Sequence, residues 1–164
     1  MNPGVLTFLC GKMGAGKSTK ARAIALERNA VFVSEDEWLA SLYPNEIKTL
    51  EDYVKYSNLL KPKMKELVES ILSVGTDVVM DFPANTVTQR LWFKGIYSSV
   101  KASHELLFID KTDDVCLEQI AQRRKEQPER AGTDTKEMFE LVTKHFVAPT
   151  PDEGFNLIHE GKHL

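Results

Sequence analysis

A stretch near the start of the chain has the residue types and the spacing of a phosphate-binding loop. CGKMGAGKST (10–19) contains the pattern G-x-x-x-x-G-K-[ST]. Backbone N–H groups of such a loop surround phosphate oxygens, and its glycines allow positive φ angles and close approach. The lysine of such a loop contacts the β and γ phosphates and the following hydroxyl is a Mg²⁺ ligand, so Lys17 is a candidate catalytic residue and Ser18 a candidate metal ligand. We therefore expect ATP and Mg²⁺ as cofactors. The predicted nucleotide-binding residues are Gly11, Lys12, Met13, Gly14, Ala15, Gly16, Lys17, Ser18 and Thr19.

Acidic side chains follow two short apolar runs farther along the chain. Glu35, Asp36 and Glu37 come after AVFVS, and Asp81 comes after VVM. If both runs are parallel strands, these carboxylates lie at the carboxyl edge of the sheet, where ligands bind. A carboxylate there can hold Mg²⁺ or accept the proton of an attacking hydroxyl. We predict Asp81 as a metal ligand, with an acceptor-side role as the alternative.

The segment AQRRKEQPER is basic in a chain that is slightly acidic overall. Cations at the end of a helix complement its dipole, so a solvated helix end is one interpretation. The other is a lid whose arginine stabilises the charge of a transferring phosphoryl group. Arg123 and Arg124 are the first catalytic candidates, and Arg130 is a second candidate that contacts the nucleotide.

The tighter form G-x-x-G-x-G-K-S-T resembles the loops of small P-loop kinases, in particular the AAA_33, zeta-toxin and polynucleotide-kinase groups. In these kinases an Asp within a pattern such as S-S-D-x-x-R activates the acceptor hydroxyl. Ser34, Glu35 and Asp36 fit that frame, so the resemblance assigns Asp36 as the general base, whereas Leu39 replaces the arginine. A simple helix cap at Asp36, or Glu35 or Glu37 as the base, remain alternatives.

The resemblance extends to the arginine segment and to FVAPTPDEGFNLI (146–158), which has the form F-x-x-P-x-x-D-E-G-F. It implies a three-layer α/β/α fold with strand order 2-3-1-4-5. It also implies acceptor-side helices at about 44–75 and a lid at about 123–134. Asn85 is one residue later than the family's D-x-x-N spacing, and Arg90 is either an acceptor-side cation or solvated surface.

The elements that must position these residues alternate between strand and helix, which predicts an α/β domain with a mostly parallel sheet. Predicted strands are 5–10, 30–34, 77–82, 105–110 and 155–160. Apolar spacing predicts a helix over 50–74, and Pro62 either kinks it or begins a second helix. Asp134 and Glu137 resemble a capping box for the last helix, which would end near Phe146.

Composition limits the function classes. The 164 residues suit one domain, 1–164, and a net charge of -3 gives no sign of a nucleic-acid coat protein. Two cysteines without paired spacing favour a reducing, cytoplasmic setting, and no leader or membrane span is expected. The scattered histidines predict no zinc site.

Phosphoryl transfer from ATP to a hydroxyl is therefore the expected activity. The acceptor is unidentified, and a nucleic acid is expected only as a 5′-hydroxyl acceptor. Alternatives are an ATPase or nucleotide-dependent switch, a binding module that has lost its chemistry, and a toxin kinase acting on a cell-wall sugar nucleotide.

Overall fold

A five-stranded sheet forms the centre of the fold in the computed structural model, which describes residues 2–160. The strands are β1 (Leu6–Cys10), β2 (Val31–Ser34), β3 (Val78–Asp81), β4 (His104–Ile109) and β5 (Leu157–Glu160). The helices are α1 (Lys17–Arg28), α2 (Glu35–Leu42), α3 (Leu50–Ser73), α4 (Val87–Ser99), α5 (Asp113–Glu126) and α6 (Lys136–Thr143). Two 3-10 turns, Pro128–Arg130 and Pro151–Glu153, complete the described elements.

All strand pairs are parallel, and the order is β2-β3-β1-β4-β5. The predicted fold class and strand order are confirmed. Every residue of β1 and β3 is buried, as expected for strands covered on both faces. The edge strand β5 is mostly exposed, so the prediction of two covered faces fails at that edge.

Helices cover the sheet on both faces and make two separate cores. On one face, α3 and α4 bury an apolar cluster that includes Met64, Val68, Phe93 and Ile96. On the other face, α1, α5 and α6 bury a second cluster that includes Ala21, Ile24, Cys116, Ile120 and Phe139. The second cluster matters for the site, because it also contains Ala15 of the phosphate-binding loop.

Two local predictions about helices are resolved by the structure. The segment around Pro62 is one continuous helix, α3, although proline cannot donate a backbone hydrogen bond there. The capping box at Asp134 and Glu137 is wrong: Thr135 is the N-cap of α6, and its hydroxyl accepts from the Met138 N–H at 3.0 Å. None of the helices in the described part of the chain has the length and apolarity of a membrane span.

Candidate active site

The loop between β1 and α1 has a backbone that only glycine accommodates at two positions. Gly14 and Gly16 have φ angles of 82° and 90°, in the left-handed region. A Cβ at Gly14 would also lie 2.5 Å from the Cys116 carbonyl oxygen and 2.7 Å from Cγ1 of Ile120. The glycine therefore allows the loop to pack directly against α5.

The N-terminus of α1 is left open to an anion. Its N-cap, Gly16, makes no side-chain cap hydrogen bond, and the first turn contains no acidic residue. The other described α-helices have serine or threonine caps, at Ser34, Thr49, Thr86, Thr112 and Thr135. Unsatisfied N–H groups and the positive end of the helix dipole favour phosphate binding at α1.

Lys17, Ser18 and Asp81 meet at the carboxyl edge of the sheet. The ammonium of Lys17 forms an ion pair with Asp81 Oδ1, and the Ser18 hydroxyl donates to Asp81 Oδ2 at 2.6 Å. This contact is possible because β1 and β3 are neighbouring parallel strands and end at the same edge. The two predicted metal-binding residues therefore lie together.

This donor set fits Mg²⁺ bound to a nucleotide. Among the described residues, no group of three or more His, Cys, Asp or Glu side chains could hold a metal ion by itself. Mg²⁺ commonly binds through one or two protein oxygens, with phosphates and water as the remaining ligands. The Ser18 hydroxyl and the Asp81 carboxylate supply that number of protein oxygens.

The loop is also held by two contacts that were not predicted from the sequence. Asn85 Oδ1 accepts from the Gly11 N–H at 3.0 Å, and Lys12 Nζ lies 2.8 Å from Asp113 Oδ1 at the start of α5. Asn85 is thus a support of the phosphate-binding loop, despite its shifted spacing. The ammonium group of Lys12 is thus paired with a carboxylate of the neighbouring helix α5.

The acidic group after β2 begins next to Asp81, because Ser34 is paired with Asp81 across the β2–β3 ladder. Asp36 lies in the first turn of α2 and is exposed. Ser34, not Asp36, is the N-cap: its hydroxyl accepts from the Glu37 N–H at 3.3 Å. The interpretation of Asp36 as a helix cap is therefore wrong.

The two neighbours of Asp36 have other partners. Glu35 is 2% exposed, and its oxygens accept from the hydroxyls of Tyr53 and Ser57 on α3. Burial raises the pKa of Glu35 above its ordinary value, although both hydrogen bonds act in the opposite direction. Glu37 forms an ion pair with Arg22 of α1. Within residues 2–160, Asp36 alone of the three acids has no side-chain hydrogen bond or ion pair.

The predicted lid arginines converge on Asp134. Arg123 donates to both carboxylate oxygens, at 2.7 and 2.8 Å, and Arg130 Nε donates to Oδ2 at 2.8 Å. Arg124 donates to the Asp134 backbone carbonyl at 3.0 Å. Because Arg123 and Arg130 are bound to a buried carboxylate, the interpretation of this segment as a merely solvated helix end is wrong.

Arg90 is fully buried, so neither prediction for it holds. Its Nε donates to Glu153 at 2.8 Å, and its Nη1 donates to the carbonyls of Ala84 and Val147, each at 2.9 Å. The guanidinium ties the segment after α6 to α4 through these three hydrogen bonds, and no part of its side chain is exposed. A basic residue in a helix gives no sequence signal for such burial, because its partner is 63 positions away.

A parallel sheet in this order, with a glycine-rich loop joining β1 to a helix whose N-terminus is open, defines a P-loop NTPase fold. The family model described as an AAA domain, AAA_33, matches residues 6–147. The chain belongs to this family. No curated protein matches the sequence significantly.

Solved structures support the fold at low sequence identity. A candidate kinase from Chloroflexus aurantiacus is 18% identical, with 97% of this chain and 85% of that chain covered and a TM-score of 0.74. Kti12 of Chaetomium thermophilum, in complex with ADP-AlF3, is 15% identical, with coverages of 95% and 89% and a TM-score of 0.67. The APS kinase of Mycobacterium tuberculosis, in complex with AMPPNP and APS, is 14% identical, with coverages of 99% and 92% and a TM-score of 0.63.

Proposed function

We propose that this protein is an ATP- and Mg²⁺-dependent kinase that transfers the γ-phosphoryl group to a hydroxyl. The observation that carries the proposal is the meeting of Lys17, Ser18 and Asp81 at the sheet edge, where the adjacent strand β2 ends and the acids of α2 follow it. A nucleotide-binding loop alone would suit any ATP-binding protein. Transfer to a hydroxyl also requires a group that accepts the hydroxyl proton, and Asp36 has no side-chain hydrogen bond or ion pair among residues 2–160.

On the donor side, the open N-terminus of α1 and the loop N–H groups receive the phosphates. Lys17 exchanges its ion pair with Asp81 for the β and γ phosphate oxygens, and this exchange frees the carboxylate. Ser18 and Asp81 would hold the metal ion. When it is bound, Mg²⁺ neutralises part of the charge on the β and γ phosphates.

On the acceptor side, Asp36 is the general base. As the acceptor oxygen bonds to the γ-phosphorus, the bond from that phosphorus to the bridging oxygen breaks, and ADP is the leaving group. The hydroxyl proton passes to a carboxylate oxygen of Asp36. Glu35 and Glu37 are poorer candidates, because one is buried against α3 and the other is paired with Arg22.

The positive charge of the lid segment completes the proposed site. Arg123 or Arg124, with Arg130 as the second candidate, stabilises the charge on the transferring group. Two neighbours of the same fold support nucleotide binding, because the APS kinase structure contains AMPPNP with APS and the Kti12 structure contains ADP-AlF3. Neither identifies the acceptor of this protein.

The test is transfer of a labelled γ-phosphate to a panel of acceptors: RNA and DNA 5′-hydroxyls, nucleosides, sugars, sugar nucleotides and antibiotics. We expect one class to accept label in a Mg²⁺-dependent reaction. Lys17→Ala should weaken ATP binding, whereas Asp36→Asn should bind ATP and lower the transfer rate about 10²- to 10⁴-fold.

Asp114→Asn is the matched control for Asp36→Asn. Asp114 is exposed and has the same position in the first turn of α5 that Asp36 has in α2, so both changes remove the same interaction with a helix dipole. Unchanged transfer by Asp36→Asn would show that the base is wrong. ATP hydrolysis that no acceptor alters would instead favour an ATPase or a nucleotide-dependent switch.

A further inference from the structure

Asp134 lies in the connection between α5, which packs on the phosphate-binding loop at Gly14, and α6. Its backbone follows the 3-10 turn Pro128–Arg130 and precedes Thr135, the N-cap of α6. Ile120 of α5 and Phe139 of α6 belong to the same buried cluster as Ala15 of the loop. Asp134 therefore joins two helices that share a buried cluster with the phosphate-binding loop.

The carboxylate of Asp134 is fully buried and binds two guanidinium groups. Arg123 contacts both of its oxygens in the bidentate geometry that suits a guanidinium, and Arg130 contacts Oδ2 through Nε. Burial acts to raise the pKa of Asp134, but the hydrogen bonds and charges of the two arginines outweigh it and hold the pKa below its ordinary value. Asp134 is thus an anion at neutral pH.

The backbone of Asp134 closes the same arrangement. Its N–H donates to the Arg130 carbonyl at 2.7 Å, and its carbonyl accepts from Arg124 Nη1 at 3.0 Å. All three lid arginines are therefore fixed by one residue. The N-cap of α6 is Thr135, so the Asp134 carboxylate is not needed for capping and serves the arginines instead.

The arrangement leaves positive charge and donors available. One carboxylate lies among three guanidinium groups, so these four side chains together keep a net positive charge. Arg130 donates to the carboxylate through Nε only, so its two terminal nitrogens do not take part in that hydrogen bond. Arg123 and Arg124 come three and four residues after Ile120, on the helix face that packs toward the loop.

We propose that Asp134 is a positioning residue that aligns the lid arginines for the transferring phosphoryl group. It contacts no substrate itself and acts through Arg123 and Arg130. This inference rests on the proposed function. The new element is the residue that fixes the direction of the arginines.

The decisive measurement compares binding of ADP with binding of ADP plus aluminium fluoride, which mimics the transferring group and requires no identified acceptor. In Asp134→Asn we expect ADP affinity to stay near the wild-type value. Affinity for ADP with aluminium fluoride should fall about 10- to 100-fold, since small displacements of charge-stabilising groups have effects of that size. A merely structural role would change both affinities together.

Controls separate the outcomes. Glu140→Gln makes the same carboxylate-to-amide change at an exposed position of α6 and should leave both affinities unchanged. Asp134→Asn should add little in an Arg123→Ala background, because the two residues act as one unit. If Asp134→Asn does not fold, Asp134→Glu keeps all three arginines and the carboxylate but displaces its oxygens, and it should give a smaller loss of the same kind.

Proteolysis of the free protein tests the arrangement without turnover. Trypsin should cut after Arg123, Arg124 and Arg130 faster in Asp134→Asn than in the wild type or Glu140→Gln. A wild-type-like affinity ratio in Asp134→Asn, or an increased affinity for the mimic, would overturn the positioning role. A wild-type protein that binds ADP but not the mimic would instead contradict the proposed function.

Discussion

The close contact between the phosphate-binding loop and α5 gives a quantitative prediction for Gly14→Ala. The new methyl group would lie 2.5 Å from the backbone oxygen of Cys116 and 2.7 Å from Ile120 Cγ1. The first of these neighbours is backbone and cannot rotate away. The φ angle of 82° adds a second unfavourable term, because alanine rarely adopts a left-handed conformation.

The two effects have separate magnitudes. A left-handed backbone costs an alanine about 1–2 kcal/mol. Forcing an extra carbon into a packed interior costs about 1–3 kcal/mol. The sum for Gly14→Ala is about 2–5 kcal/mol, which corresponds to a fall in Tm of roughly 4–20 °C for a domain of this size.

The chain offers two matched substitutions that separate these effects. Gly16 has a φ of 90°, and no atom lies within 4 Å of the position that a methyl group would occupy, so Gly16→Ala tests the backbone cost alone, about 1–2 kcal/mol. Gly132 has neither a positive φ nor a nearby atom. Gly132→Ala should be neutral or stabilise by about 0.4–1 kcal/mol through the unfolded chain.

Urea unfolding followed by circular dichroism measures all three free energies. The expected order of destabilisation is Gly14→Ala, then Gly16→Ala, then Gly132→Ala, with unchanged m-values. Equal losses for the first two variants would show that α5 does not press on the loop at Gly14. A large loss at Gly132 would refute the assumption that open space makes the methyl group harmless.

Three further predictions concern buried groups. Because burial raises the pKa of Glu35, the wild type should lose stability relative to Glu35→Gln as the pH rises above the ordinary glutamate pKa of about 4, a trend that Tm measurements at increasing pH would show or exclude. Glu153→Ala leaves the buried Arg90 guanidinium without its carboxylate and should destabilise by about 3–5 kcal/mol in urea unfolding, an effect that a loss under about 1 kcal/mol would contradict. Burial raises the pKa of Cys10 to about 12, and Cys116 is also buried, so neither thiol should react with a maleimide before urea unfolds the protein.

The donor side was predictable because its signals are local. The pattern from Gly11 to Ser18 specifies a loop, a helix start and a hydroxyl within eight consecutive positions. The position of Asp81 beside it followed from one further rule, that parallel strands end at a common edge. The alternation of strands and helices then fixed the layers, and the family resemblance supplied the strand order.

Partners that are distant in sequence were not predictable in this way. Glu35 binds Tyr53 and Ser57 on another helix, and Arg90 binds Glu153 across 63 positions. In each case a charged residue on an amphipathic helix carries no local sign of burial. Asp134 was misassigned for a related reason: a carboxylate shortly before a helix resembles a cap, whereas Thr135 next to it already fills that role.

The three acids after β2 show how burial assigns different roles to neighbouring residues of similar chemistry. Helix α2 turns each successive side chain by about 100°. That rotation points Glu35 toward α3, leaves Asp36 exposed and brings Glu37 to Arg22. Exposure matters for a base, because a carboxylate already bound to two hydroxyls has fewer lone pairs for an acceptor's proton.

The same rotation bears on how an acceptor is recognised. Leu39, where related kinases often have arginine, is 3% exposed and packs in the core under α3. Position 39 therefore presents no cation to an acceptor, and an arginine there would have to be buried against apolar side chains at a large cost. Any charge that selects the acceptor must come from other positions around Asp36. The proposed acceptor side thus differs from the family pattern at position 39, whereas the residues of the proposed donor side match it. The acceptor panel must therefore include uncharged hydroxyl compounds as well as phosphorylated ones.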